Sequence, residues 1–406
     1  MLILGFVSNI ILAKVLGASG YGLFALSLNW LLMFSLFSRL GFDTSITKFI
    51  PIYYSSNDWS SIKGLVKASS LVIFLSSIII YGIVAFVILC FLDLPKYKEI
   101  YFLTFFCALP FYSLIKINSS IFRAFKMVIS SLSSSIILSI TFAIILGSLY
   151  LIAGNSPTLS TISGLYIALS CIVLVLFSCK LSSNFKTFTG KLEPVYHYRS
   201  WFLVSIPLLL IESMQFFLGQ TDILMLGVLS TERSVGYYQA AIKISSITTF
   251  GLSAVNFILA PEISRLYNSK KLKELQEKVT QSSKLLLILG FSASFFLILF
   301  GSFILSMFGE DFKIAYFSTV ILIVGQFVNV LTGAVGFLMS LTGYHNIALK
   351  VIVISVLINV ILNYFLIPIY DIKGASIATA ITTIIRNVWM AVLVKKILKI
   401  KPTIIY

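Results

Sequence analysis

Seven ionisable side chains fall inside stretches that are otherwise oil: Arg39, Asp43, Lys116, Glu212, Asp222, Lys243 and Arg386. A charge placed in hydrocarbon must pair, reach for the interface, or face a wet cavity. Arg39 and Asp43 sit four residues apart in "NWLLMFSLFSRLGFDTSITKFI", residues 29–50. On one helix they share a face and partly neutralise each other. Two readings follow. The pair is structural, or it lines a passage with the arginine free to meet a substrate anion. Lys116 and Glu212 lie nearer helix ends and are weaker candidates, able to snorkel. Asp222, Lys243 and Arg386 lie deeper. Uncharged polar residues add to them: Gln215 and Gln220 before Asp222, Asn329 beside Gln326, and Asn359 with Asn363. The plain reading of such groups is hydrogen-bonding glue between helices. The functional reading is a hydrophilic substrate cavity. Cations neutralise phosphate, and amides address hydroxyls, so the mixture suits a sugar-phosphate headgroup.

Motifs for catalysis are missing. The chain has no phosphate-loop signature, no HExxH and no dinucleotide fingerprint. "GASGYG" is glycine-rich but falls in a turn between helices. His197 and His345 have no ligand partner nearby in sequence. Cys90, Cys107, Cys171 and Cys179 form no CxxC pair. The expectation is a protein that is not an enzyme and holds no metal or cofactor. With no ATPase domain, its energy would come from an ion gradient, the membrane potential or a substrate gradient.

The elements that position these residues follow from composition. Of 406 residues 59% are hydrophobic and 11% charged, with mean hydropathy +1.03. Soluble domains carry about 25% charged residues. Apolar runs recur at bilayer-spanning length, so the class is all-α, polytopic membrane protein. Continuous runs such as "SSLVIFLSSIIIYGIVAFVILCF" exclude the alternating strands of a membrane barrel. Twelve helices are predicted near 1–16, 23–50, 63–91, 99–122, 128–153, 160–180, 200–229, 235–260, 280–308, 314–342, 346–367 and 373–398. Pro110 and Pro207 fall inside spans, where proline kinks a helix. The polar stretch 181–199 is read as a cytoplasmic linker between a six-helix lobe at 1–180 and another at 200–406. The stretch 261–284 reads as a surface helix, with Leu266, Leu272, Leu275 and Val279 interleaved among lysines on the headgroups. The opening stretch has no basic leader and is short for a span, which predicts a truncated first helix or a late start.

The net charge of +16 is assigned to topology and anionic lipid, not nucleic acid. Of the 30 Lys and Arg, 21 fall on one side of the twelve-span map and six on the other; Arg39, Lys243 and Arg386 lie within spans. The bias places both termini in the cytoplasm. "GLFALSLNWLLMFS" from Gly22 also parallels "GYYQAAIKISSITTF" from Gly236, and a similar offset relates residues 53–75 to 266–289. Chance similarity between oily helices is the alternative. A true repeat would make two six-helix units of like orientation around a cleft.

The chain resembles the polysaccharide and oligosaccharide flippases (Wzx-like) of the multidrug/oligosaccharidyl-lipid/polysaccharide exporter superfamily. The resemblance is carried by "NIILAKVLGASGYGLFAL", "RLGFDTSITKFIPIYYSSND", "TDILMLGVLSTERSVGYYQAA", "LAPEISRLYNS", "FGEDFKIAY" and "LNYFLIPIYDIKGASIATAITTI". It implies two six-helix lobes around a central cavity and alternating access. It further implies a polyprenyl-diphosphate-linked oligosaccharide as substrate at the cytoplasmic membrane, with basic cavity residues meeting the diphosphate. Glycosyltransferases or a polysaccharide polymerase are the implied partners. Asp222 matches an acidic position whose role is structural or ion-linked. With no thirteenth or fourteenth span, the resemblance to peptidoglycan-precursor flippases is weaker. The rival readings are a cation-coupled multidrug exporter of the same architecture and a non-transporting glycan-assembly protein.

Overall fold

The computed structural model describes residues 2–189 and 192–403. Lys191, counted above on the basic side, lies outside the described residues. Among those described, the chain is helical throughout, with ten helices long and apolar enough to cross a membrane. Two of the ten bend sharply and count double, giving the twelve segments of a polytopic all-α protein. Large apolar side chains stand on the outside, among them Phe257 at 85% exposure and Leu151 at 83%. That outer surface suits lipid and would be a liability in water.

Helix α1 (Leu2–Ser38) is bent at Gly17, where φ is 65° and ψ is 176°. The predicted second span does not run on unbroken. It stops at a turn over residues 39–41 and restarts as α2 (Phe42–Ser55). Leu40 has φ 49° and Gly41 has φ 76°. A Cβ at Gly41 would stand 2.1 Å from the Ser205 carbonyl oxygen, so the turn needs glycine both for its φ and for close approach.

After α3 (Trp59–Phe91), the predicted fourth span is two helices, α4 (Lys96–Phe106) and α5 (Leu109–Ala124). Pro110 sits in the first turn of α5, where its missing N–H costs nothing. Helices α6 (Val128–Ala153), α7 (Leu159–Thr189) and α8 (Tyr198–Leu229) follow. Helix α8 runs through Pro207. Because α7 extends to Thr189 and α8 begins at Tyr198, the expected linker shrinks at both ends. Its described remainder, 192–197, has no regular secondary structure and is docked: Val195 N–H donates to the Ser60 carbonyl at 3.1 Å, and Ser61 Oγ and His197 Nε2 are 3.0 Å apart.

Helix α9 (Glu232–Ser245) leads through a 3-10 turn, Ser246–Thr249, into α10 (Phe250–Asn268). Helix α11 (Leu272–Ser306) follows after a three-residue turn. No separate surface helix occupies 261–284, correcting the expectation. Arg265 rides on the end of α10, Lys270 and Lys271 on the turn, and Lys273, Lys278 and Lys284 on the start of α11, while Leu266, Leu275 and Val279 are buried in a core with Ile263, Leu338 and Val394; Leu272 stays exposed. Long lysine stems let charge and core share one helix end. A 3-10 turn, Glu310–Ala315, precedes α12 (Tyr316–Thr332); α13 (Val335–Leu341) follows a break at Gly333, φ 69°.

Helix α14 (His345–Leu398) has 54 residues, about 80 Å if straight, far beyond a hydrocarbon core of about 30 Å. It folds back at Asp371, with φ 51° and ψ −128°. A Cβ on Gly374 would lie 2.2 Å from the Leu366 carbonyl, an approach a straight helix forbids. Two hydroxyls hold the bend, Ser230 and Ser234 donating to the Asp371 carboxylate at 2.6 and 2.7 Å. Residues 399–403 then form a strap. Lys401 exchanges two hydrogen bonds with the Gln276 amide, Ser283 Oγ donates to the Pro402 carbonyl, and Ile400 is 1% exposed in the same core.

The chain forms two compact units. One comprises Met1–Leu16 and Ser27–Ser213; the other comprises Gly17–Leu26 and Met214–Tyr406. Within the second, the segments that the offset of the sequence aligns meet reciprocally. A Cβ at Gly22 would fall 1.7 Å from the Glu232 carbonyl oxygen. One at Gly236 would fall 2.2 Å from that of Ala18. Each glycine thus opposes the residue four before the other, a close backbone crossing only small residues permit.

Candidate functional site

In the first unit the break over 39–41 sets the geometry. Arg39 Nε donates to the Ser35 carbonyl at 3.1 Å, and its Nη1 is paired with Asp43 Oδ2. Asp43 lies in the first turn of α2, where helix amides favour an acid. Thr44 Oγ1 donates to Glu212 of α8, and Glu212 lies within electrostatic reach of both Asp43 and Arg39. The cluster thus holds two carboxylates and one guanidinium. Asp43 is 4% exposed, and its Oδ1 lacks a hydrogen-bond partner. The hydroxyls of Ser45 and Ser205, 2.8 Å apart, tie α2 to α8 beneath it. Lys116 stands apart, donating to Ser135 Oγ at 2.9 Å over the Tyr112 ring.

The second unit holds a different pair of arrangements. Asp222 is 3% exposed and its partners are all neutral. Tyr238 OH donates to Oδ2 at 3.0 Å, Thr379 Oγ1 donates to the same oxygen, and Asn363 Nδ2 donates to Oδ1 at 2.7 Å. Asn363 Nδ2 also reaches Asn359 Oδ1 at 3.0 Å. One carboxylate among hydroxyl and amide oxygens is a set that could hold a proton or a small hard cation. Among the described residues no three His, Cys, Asp or Glu gather for a metal.

A cavity of about 220 Å³ opens in the same unit. Its polar lining is Gln215, Asn256, Asn329, Arg386 and Asn387, with Phe337 among the apolar walls. Gly333 to Phe337, the break after α12 and the first turn of α13, forms one side. Asn329 Nδ2 donates to Gln326 Oε1 at 3.1 Å, and Asn387 Nδ2 to the Thr383 carbonyl at 2.8 Å. Asn256 Oδ1 is buried with no partner. Arg386 makes no ion pair among the described residues, and the cavity has no other charged lining residue.

The structure therefore gathers Arg39, Asp43 and Glu212 in one unit, and Asp222, Asn359 and Asn363 in the other. It gathers Gln215, Asn329 and Arg386 around the cavity. Lys243 lies in the last turn of α9, outside the cavity lining and without an ion-pair partner among the described residues; Gln220 joins none of the three groups. Tyr238, Thr379, Asn256 and Asn387 were not singled out from sequence. Tyr238 and Thr379 look like ordinary span residues. Asn256 and Asn387 carried a usable signal, since an amide inside an apolar run is as unusual as Asn329.

These features define a polytopic helical membrane protein with buried polar sites in its spans. Residues 1–267 match the family described as polysaccharide biosynthesis protein, and the chain belongs to that family. Residues 207–365 also match the MatE family. The chain is 26% identical over 187 residues to the probable low-salt glycan biosynthesis flippase Agl15 of Haloferax volcanii, a match covering 46% of this chain and 40% of that protein. Its fold is similar to that of a multidrug resistance MATE family transporter of the MOP superfamily, solved in an inward-facing conformation. There the TM-score is 0.75 and identity 13%, covering 98% of this chain and 96% of the other. It is also similar to lipid II flippase MurJ in an inward closed conformation, with TM-score 0.74 and identity 16%, covering 97% and 85%.

Proposed function

We propose that this chain is a flippase that moves a polyprenyl-diphosphate-linked oligosaccharide across the cytoplasmic membrane by alternating access. The observation that carries the reading is a pair of cations, Lys243 and Arg386, held in membrane-spanning helices with no acidic partner among the described residues. A cation in a span is costly unless something compensates it. An anionic headgroup compensates it; a cationic drug does not. Membership of the polysaccharide biosynthesis family and the likeness to a glycan flippase support the same substrate class. No bond is made or broken in this function. In reconstituted vesicles the protein moves a fluorescent polyprenyl-diphosphate glycan between leaflets. Export of organic cations with no glycan movement overturns the reading.

Asp222 supports coupling to an ion or proton, since its neutral shell leaves room for one compensating positive charge. Orientation follows from the basic bias, with both termini cytoplasmic. Cysteines placed at 269–271 and at 154–157 then label from opposite sides with an impermeant reagent; labelling from one side overturns the map.

A further inference from the structure

We infer that the cavity of the second unit is a subsite for a single acidic sugar, one carrying a carboxylate. Three features point there. Arg386 lies in a span, about 14 Å of helix from Lys395, beyond easy reach of the interface. It has no acidic partner, so the cavity offers one uncompensated positive charge. Four amides line the same space, and each can both donate to and accept from a sugar hydroxyl. Phe337 supplies a ring against which a sugar face can pack.

Size and charge narrow the class. At about 220 Å³ the cavity falls below the roughly 300–1,000 Å³ of whole-ligand pockets, so it takes one ring of a larger molecule. A diphosphate carries about two charges or more, against a single guanidinium here, and as an acceptor it leaves the four amide oxygens without a donor. A carboxylate takes the two-pronged guanidinium contact, and the ring hydroxyls take the amides. The diphosphate is thus held outside this cavity, and the cavity reads the glycan.

The test is binding to the full chain in detergent by saturation-transfer NMR, with four probes: methyl glucuronide, methyl glucoside, inorganic pyrophosphate and phosphatidylglycerol. The glucuronide binds at least about tenfold more tightly than the glucoside. In Arg386→Gln that preference falls to within about twofold; in Arg386→Lys, which keeps charge without the fork, it is intermediate. Phe337→Ala weakens both sugars and leaves the preference intact. Equal binding of the two sugars overturns the subsite. So does a preference that survives Arg386→Gln. Pyrophosphate displacing the glucuronide through Arg386 assigns the cavity to the carrier, and phosphatidylglycerol doing so assigns it to bulk lipid; either result overturns the inference. It rests on the glycan-export reading only for the choice of sugar, and binding is scored without transport. Flipping without glucuronide binding removes this inference alone; binding without flipping removes the transport reading alone.

Discussion

The two units treat intramembrane charge in opposite ways. In the first, Arg39, Asp43 and Glu212 sit together, with Thr44, so each charge has an opposite or a hydroxyl at hand. In the second, Asp222 rests on neutral donors and Arg386 faces a cavity. A paired charge holds a fold, and removing one partner strands the other. Asp222 has no opposite charge, but its three donors make it part of the fold as well. A charge with neither kind of partner, as at Arg386, does nothing for the fold, so its cost points to a missing ligand. Stability measurements on the unliganded protein therefore separate the two kinds of residue.

The largest change is expected at Asp222. Asp222→Leu leaves Tyr238, Thr379 and Asn363 donors without their shared acceptor and costs about 3 kcal/mol. Asp222→Asn, which keeps one acceptor, costs less than half of that. Thermal unfolding in detergent, followed by tryptophan fluorescence, ranks them; a harmless Asp222→Leu breaks the claim that this carboxylate organises its unit.

Next in size is Arg39. Arg39→Ala strands Asp43 and loses about 2 kcal/mol, and Asp43→Asn added to it restores most of the loss. A double variant as unstable as the single shows that the pair is not the reason for the effect. Arg39 also bears on function: if it meets substrate, the restored double variant still flips glycan slowly.

Arg386→Gln goes the other way. Removing a cation with no partner stabilises the free protein by up to about 1 kcal/mol while glycan binding falls. A clear loss of stability on this substitution makes Arg386 a structural residue and erases the contrast between the units.

The smallest effect lies outside the spans. Asp58 caps α3 by accepting the Ser61 N–H at 3.0 Å, and the Ser61 hydroxyl and amide hold its carboxyl below the ordinary value of 3.8. A depressed pKa contributes stability above the unfolded value, lost as pH falls through the folded one. The cap therefore weakens only below about pH 4, by a small amount because the site is exposed to water. Asp58→Asn, which still caps, shows a flatter unfolding-temperature profile in that window; an unchanged profile removes Asp58 from the acid response.

Much of this was legible from residue order. Hydropathy located the spans, i, i+4 spacing marked Arg39–Asp43, and Asn359 and Asn363 stood out as amides inside an apolar run. The break at 39–41 was not seen. Gly41 signals it, but the flanking apolar residues read as one continuous helix. The Asp222 shell was hidden for a different reason: its donors lie 16, 141 and 157 residues away in sequence, so only packing brings them together. The stretch 261–284 misled because its lysines imply a solvated face, and the strap at 399–403, which buries Ile400 against Leu275, follows from no local pattern.

The crossing of Gly22 with Gly236 has a cost in time. Ribosomes add about 5–20 residues per second. The 214 residues between the two glycines take about 10–40 s to make. Throughout that interval the Gly22 segment is inserted without its counterpart, its bare backbone open to any small-faced helix in the membrane. Long-separation contacts of this kind form late. Whatever protects that groove during synthesis, an early substitute helix or an insertion factor, must hold weakly enough to leave when α9 arrives.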